Sequence, residues 1–261
     1  MEAPTPHNSG PDKTKRALKT GVTIWTVGWI LWAIHGVLLL VGLSALGVLL
    51  TVGVGGALPG TAIVAVVAYP GAVVSAGVAA LLLGIGSLSM GMAIAPPRPR
   101  EAEAPADASR RPWGAVAFLF GFGVLSIAAL FGMMGAGRIG PRDQIIAAVT
   151  LVLLCWILSS LVFVLAAVAM IDLLRTLRQA APEAPAINGL LPVVYGIVNV
   201  VGVVLFALTL LISIGGTVSP ELPAAAALLA LLVVPVLAVI GGVAMAIQGL
   251  RLRGALTTGA P

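Results

Sequence analysis

Two side chains stand out as able to do chemistry where little else can: His35 and Asn199, each inside a long apolar run. A strongly polar or ionisable group at bilayer depth marks a functional site by default. His35 could ligate a haem or pigment iron or magnesium, move a proton, or hold a passing solute. A bis-histidine site within the chain is excluded, because the other histidine is His7 in the N-terminal tail. Proton handling needs a carboxylate at depth, and the acid nearest a span's body is Asp172. Asp172 lies three residues before Arg175, the spacing of a simple helix-surface pair. The expectation is therefore a packed imidazole hydrogen-bonded to a neighbouring helix, with Asn199 as its partner at comparable depth. The same pair is the candidate lining of a solute pathway.

Trp25, Trp29 and Trp32 form one helical stripe by their spacing of four and three. Tryptophan favours the headgroup level, so the stripe reads as an interfacial anchor running into a packing face, or as a contact surface for a partner. Cys155 has no acid or histidine near it in sequence and reads as a small hydrophobe. Ser159, Ser160 and Thr209 read as bonding back to their own helices. No run of His, Asp, Glu or Cys has metal-ligand spacing, and there is no nucleophile elbow or phosphate-binding glycine loop. Neither an enzyme nor a resident cofactor or metal is expected.

The elements that must position these residues follow from composition. Of 261 residues, 60% are hydrophobic and 9% charged, against roughly 45–50% and about 25% in a soluble domain. That much apolar surface cannot be hidden in so short a chain, so the solvent is lipid. The net charge of +5 sits in short segments between apolar runs, where basic residues act as topology signals, which argues against a nucleic-acid binder. Six runs reach the roughly 20 residues needed to cross a hydrocarbon core: 22–50, 61–94, 113–137, 144–174, 190–214 and 224–250. Such lengths exclude the short alternating strands of a barrel. The fold class is all-α: a polytopic transmembrane bundle of six spans.

Twelve of the 14 basic residues fall in the N-terminal tail, the second and fourth connections and the C-terminal tail. Basic residues stay cytoplasmic, so both termini are placed inside a cell (inner) membrane. Residues 1–20 read as a disordered tail able to turn helical from Lys13, residues 21–254 as the six-span domain and residues 255–261 as a cytoplasmic tail. The 95–112 connection, rich in proline and charge, reads as a flexible loop.

Paired spans resemble one another. Outer turns hold Pro59, Pro141 and Pro220, and the pairs close with Met92, Met170 and Met245 shortly before an arginine. Three repeated helical hairpins are the implied arrangement. Small residues four apart, such as Gly71, Ser75 and Ala79, Ala128, Gly132 and Ala136, and Ala238, Gly242 and Ala246, provide faces for close helix contact. Pro70 and Pro235 interrupt the hydrogen-bond ladders of their spans.

Functionally, the near absence of buried charge points to a non-enzymatic scaffold, accessory or assembly subunit in the bilayer, packing against other membrane subunits. A small transporter or channel for an uncharged or weakly polar solute is the alternative, and a pigment- or haem-binding subunit the third. The threading is checked by fusing a reporter active on one face to each connection and to both tails. Activity of both terminal fusions on the cytoplasmic side is expected, and termini on opposite faces would refute the topology.

Overall fold

The computed structural model describes residues 10–52, 59–94, 121, 123–125, 142–180, 187–215 and 221–258. Every bounded element among them is a helix: α1 (Gly10–Val52), α2 (Pro59–Ile94), α3 (Arg142–Ala180), α4 (Leu190–Gly215) and α5 (Glu221–Thr258). Gly121 and residues 123–125, inside the third apolar run, are helical too. Lipid offers no partner for backbone N–H and C=O groups, so a helix that satisfies them internally is the structure these runs must take. Stretches long and apolar enough to cross a membrane are Lys13–Ala45, Pro70–Ile94, Ser160–Gln179 and Leu232–Thr257, while Leu190–Gly202 is a shorter apolar helix. The protein is an all-α helical membrane bundle.

Three sequence expectations shift. Helix α1 begins at Gly10, three residues before Lys13, the point from which the sequence allows the tail to turn helical. Beyond Pro11, which suits a first helical turn, Lys, Arg, Ala and Leu are good helix formers, and Leu18 is buried against the core. At the other end α5 continues to Thr258, because Leu252 and Leu256 still pack on that core. In the methionine series, Met92 is 53% exposed and Met90 is buried instead. Met90, Met170 and Met245 are buried methionines of α2, α3 and α5. Most of the 113–137 run, the 95–112 connection, the residues around Pro141 and Pro220, the Ala128 stripe and the side chains of Cys155, Trp156, Ser159 and Thr209 lie outside the described residues.

The helices touch in chain order and the last returns to the first. Helices α1 and α2 run antiparallel at backbone distance. A Cβ on Gly86 would lie 2.6 Å from the Trp25 nitrogen, and one on Gly28 would lie 3.0 Å from the Leu83 nitrogen. Gly123 lies against Leu81 of α2 and Gly121 against Val162 of α3. Gly196 of α4 packs on Val164 and Phe163 of α3. The Asn188 amide, just before α4, donates to Gln248 Oε1 of α5 at 2.6 Å. Helix α5 then closes on α1, where Gly242 meets Ala33, and Gly249 meets Thr26 and Trp25.

Bulk is distributed inside out. On α1, Val27, Ile30, Ile34, Val37 and Val41 face outward, as do Val233, Val236, Ile240, Val243 and Ile247 on α5. The inward and seam positions hold Gly, Ala, Met, Trp and Leu, with Val22 and Val234 as buried valines. Lipid is as apolar as leucine, so it is the small residues at the seams that set helix association.

The seam can be tested at two adjacent glycines. Alanine improves helix propensity over glycine by about 1 kcal/mol. At Gly242 a Cβ would sit 2.7 Å from the Ala33 nitrogen, and overpacking of this kind costs about 1–3 kcal/mol, so Gly242→Ala should be net destabilising. At Gly241 a Cβ meets nothing within 4 Å. Thermal unfolding in detergent should therefore place Gly241→Ala at or above the parent protein and Gly242→Ala below it. The opposite order would refute the α1/α5 register.

Candidate functional site: a buried aromatic and polar core

His35 owes its surroundings to a glycine series. Gly21, Gly28 and Gly42 recur on α1 with His35 filling the missing seventh-residue position. At Gly21 and Gly28 the backbone of α2 comes close, at Met90 and Leu83. One heptad further on, an imidazole stands where a hydrogen would continue the series. Its Nδ1 lies 2.7 Å from the Ala72 carbonyl oxygen of α2. A carbonyl can only accept, so Nδ1 carries the proton and donates, and Nε2 of the neutral ring keeps the lone pair. Ala72 O also accepts from Ser75 Oγ at 2.9 Å. The small stripe containing Gly71, Ser75 and Ala79 thus accompanies a polar anchor on α2.

Asn199 has a different partner. Its Nδ2 donates to Ser160 Oγ of α3 at 2.9 Å, and both residues are buried. Ser160 Oγ, read from the sequence as bonding within its own helix, accepts this bond and so joins α3 to α4. Asn199 Oδ1 has no hydrogen-bond partner among the described residues. His35 and Asn199 therefore do not hydrogen-bond to one another. Each is held by the helix packed beside its own.

The two are connected through aromatic rings. Trp32 lies 5.4 Å from the His35 ring, stacks on Phe163 of α3 at 4.8 Å and 16°, and meets Tyr195 of α4 edge-on at 5.6 Å. Phe163 and Tyr195 form a further edge contact at 5.4 Å. Tyr195 is one helical turn before Asn199. Among the described residues the backbones of α1 and α3 do not adjoin, so the Trp32–Phe163 stack reaches between helices that share no seam there. Offset and edge-to-face rings contribute about 0.5–1.5 kcal/mol per pair beyond their burial.

The tryptophan stripe faces the inside of the bundle. Trp25, Trp29 and Trp32 are each 1–2% exposed and belong to the central core. They follow one another in edge contacts at 5.9 and 6.4 Å. The reason lies on α2 and α5, where Gly86 and Gly249 leave room beside Trp25 that no larger residue would leave. The stripe is thus a packing face, an internal aromatic column, and not a surface turned toward a partner. The indole nitrogens of Trp25 and Trp29 and the Ser87 hydroxyl have no hydrogen-bond partner among the described residues. Phe163, Tyr195 and Ser87 carried no polar-at-depth signal in the sequence.

The surface pair is as expected: Arg175 and Asp172 lie 3.8 Å apart with exposed side chains. Such a pair is worth at most a few tenths of a kcal/mol, roughly 0.2–0.5. Among the described residues no three His, Cys, Asp or Glu side chains converge as metal ligands. No family model, curated protein or solved structure matches the chain.

The α3/α4 link is checked by a double-mutant cycle. Ser160→Ala, Asn199→Ala and the double variant, compared by unfolding in bicelles, should give a coupling energy of about 0.6–1.7 kcal/mol, the range of interhelical bonds in membranes. Strict additivity would show that the bond is not made.

Proposed function

We propose that the protein is a non-enzymatic membrane scaffold or accessory subunit, acting by packing against other components of the bilayer. The observation that carries this reading is the filled interior. Trp32 stacks on Phe163 and meets Tyr195 where a conduit between α1, α3 and α4 would have to run. Below it, Trp25, Trp29, Met170, Leu173 and Met245 are all buried within one core. Apolar β-branched side chains cover the outward faces of α1 and α5, a surface suited to lipid or to another apolar helix.

The alternative is a small transporter or channel for an uncharged or weakly polar solute. It is supported by Asn199 Oδ1, buried without a partner among the described residues, and by Pro70 and Pro235 inside α2 and α5. The distribution of basic residues supports an inner cell membrane location with both termini cytoplasmic. The recurrence of Met90, Met170 and Met245 as buried residues of α2, α3 and α5 supports a repeated-hairpin origin for the bundle.

Crosslinking in the native membrane followed by purification tests the lead reading. Recovery in a stoichiometric complex with another membrane protein is expected. A chain that migrates alone would overturn it. In vesicles, flux of a neutral solute such as glycerol or urea should equal that of protein-free vesicles. A flux that His35→Ala or Asn199→Ala abolishes would instead establish the transporter.

A further inference from the structure

The α1/α5 seam runs in heptads toward the ends where both helices leave the apolar span. Gly242 stands opposite Ala33, and Gly249 stands opposite Thr26, one heptad on along each helix. The same register continued by one heptad puts Lys19 opposite Leu256, with Arg253 one turn deeper on the same face of α5, about 4.5 Å along the axis. Leu256 packs against the core, so the Lys19 stem runs over apolar surface while its ammonium is carried outward. Arg253 is exposed, as are Arg16 and Arg251 on the flanks.

Two cations thus stand on facing stripes about one turn apart in depth, a basic patch at the end of the α1/α5 seam. The acids of the two helices are Asp12, roughly 10 Å further out along α1, and Glu221, at the opposite end of α5. The ion pair seen among the described residues is on α3. An anion that serves both cations therefore comes from outside the two helices, at the level where apolar surface gives way to charge. Phosphates of anionic lipids lie at that level.

We infer that Lys19 and Arg253 form a site for the phosphate of an anionic phospholipid, in the leaflet where the ends of α1 and α5 emerge, clamping the first helix to the last. The full chain in neutral detergent provides the test. Phosphatidylglycerol should raise its melting temperature, whereas phosphatidylcholine and inorganic phosphate should not. Native mass spectrometry should show bound phosphatidylglycerol falling about five-fold in Arg253→Gln, the effect of one charge near a leaflet. Lys19→Glu places a carboxylate beside Arg253, so it should melt no lower than the parent without lipid and should lose the lipid response. Lys13→Glu, a turn and a half further out, should retain it. An unchanged response in Lys19→Glu, an equal loss in Lys13→Glu, no response in the parent, or a rise with inorganic phosphate alone would each overturn the proposal.

Discussion

Helices in lipid gain nothing by hiding one leucine behind another, so a bundle of this composition must be held by how closely its backbones approach. Glycine decides that distance here. At Gly86 and Gly242 a single added carbon would fall within 2.6 and 2.7 Å of a backbone nitrogen on the neighbouring helix. The two seams of α1 are therefore contacts of main chain on main chain, with van der Waals attraction summed along several turns. Most of the valine and isoleucine on α1 and α5, whose branched side chains would hold helices apart, lies on the outward faces, Val22 and Val234 being buried exceptions.

Close seams on both sides of α1 leave its remaining face to fill the interior, and this explains the aromatic column. Three indoles on one stripe need room, which Gly86 and Gly249 leave beside Trp25, while Phe163 and Tyr195 complete the packing around Trp32. His35 marks the exception within the glycine series. Its ring is accommodated because a carbonyl of α2 accepts its proton at 2.7 Å. Asn199 and Ser160 solve the same problem between α3 and α4. Two polar links, each local to one helix pair, give directional contacts to an otherwise apolar assembly and so specify which rotations of the helices are allowed. This is consistent with a core built for fixed geometry, and it underlies the reading as a packing subunit.

The helices themselves were legible because lipid sets a length that apolar runs either meet or fail. The runs 190–214 and 61–94 match α4 and α2 within a residue or two at each end. The ends of α1 and α5 were not, because hydropathy stops at Lys19 and Arg251 while helix propensity and the packing of Leu18 and Leu256 carry on. His35 and Asn199 could be singled out as buried polar residues, since polarity at depth is rare. Their partners could not, because a backbone carbonyl leaves no trace in the sequence and Ser160 looks like any other helical serine. The direction of the tryptophan stripe was hidden for a related reason. Where both faces of a helix are apolar, hydrophobicity no longer distinguishes inside from outside, and the glycines that admit Trp25 lie 61 and 224 residues away in the chain.

The closing contact between α1 and α5 has a consequence for biogenesis. A chain made from its N-terminus folds its early elements first, so α1 can dock on α2 soon after both have left the ribosome. The opposite flank of α1, from Ala33 and Gly36 back to Trp25, must wait for almost the whole polypeptide before α5 arrives to cover it. During that interval the face of α1 destined for α5 is bare to lipid or to insertion machinery. Premature termination before the final helix would leave the ring permanently unsealed along that line, whatever the quality of the preceding segments.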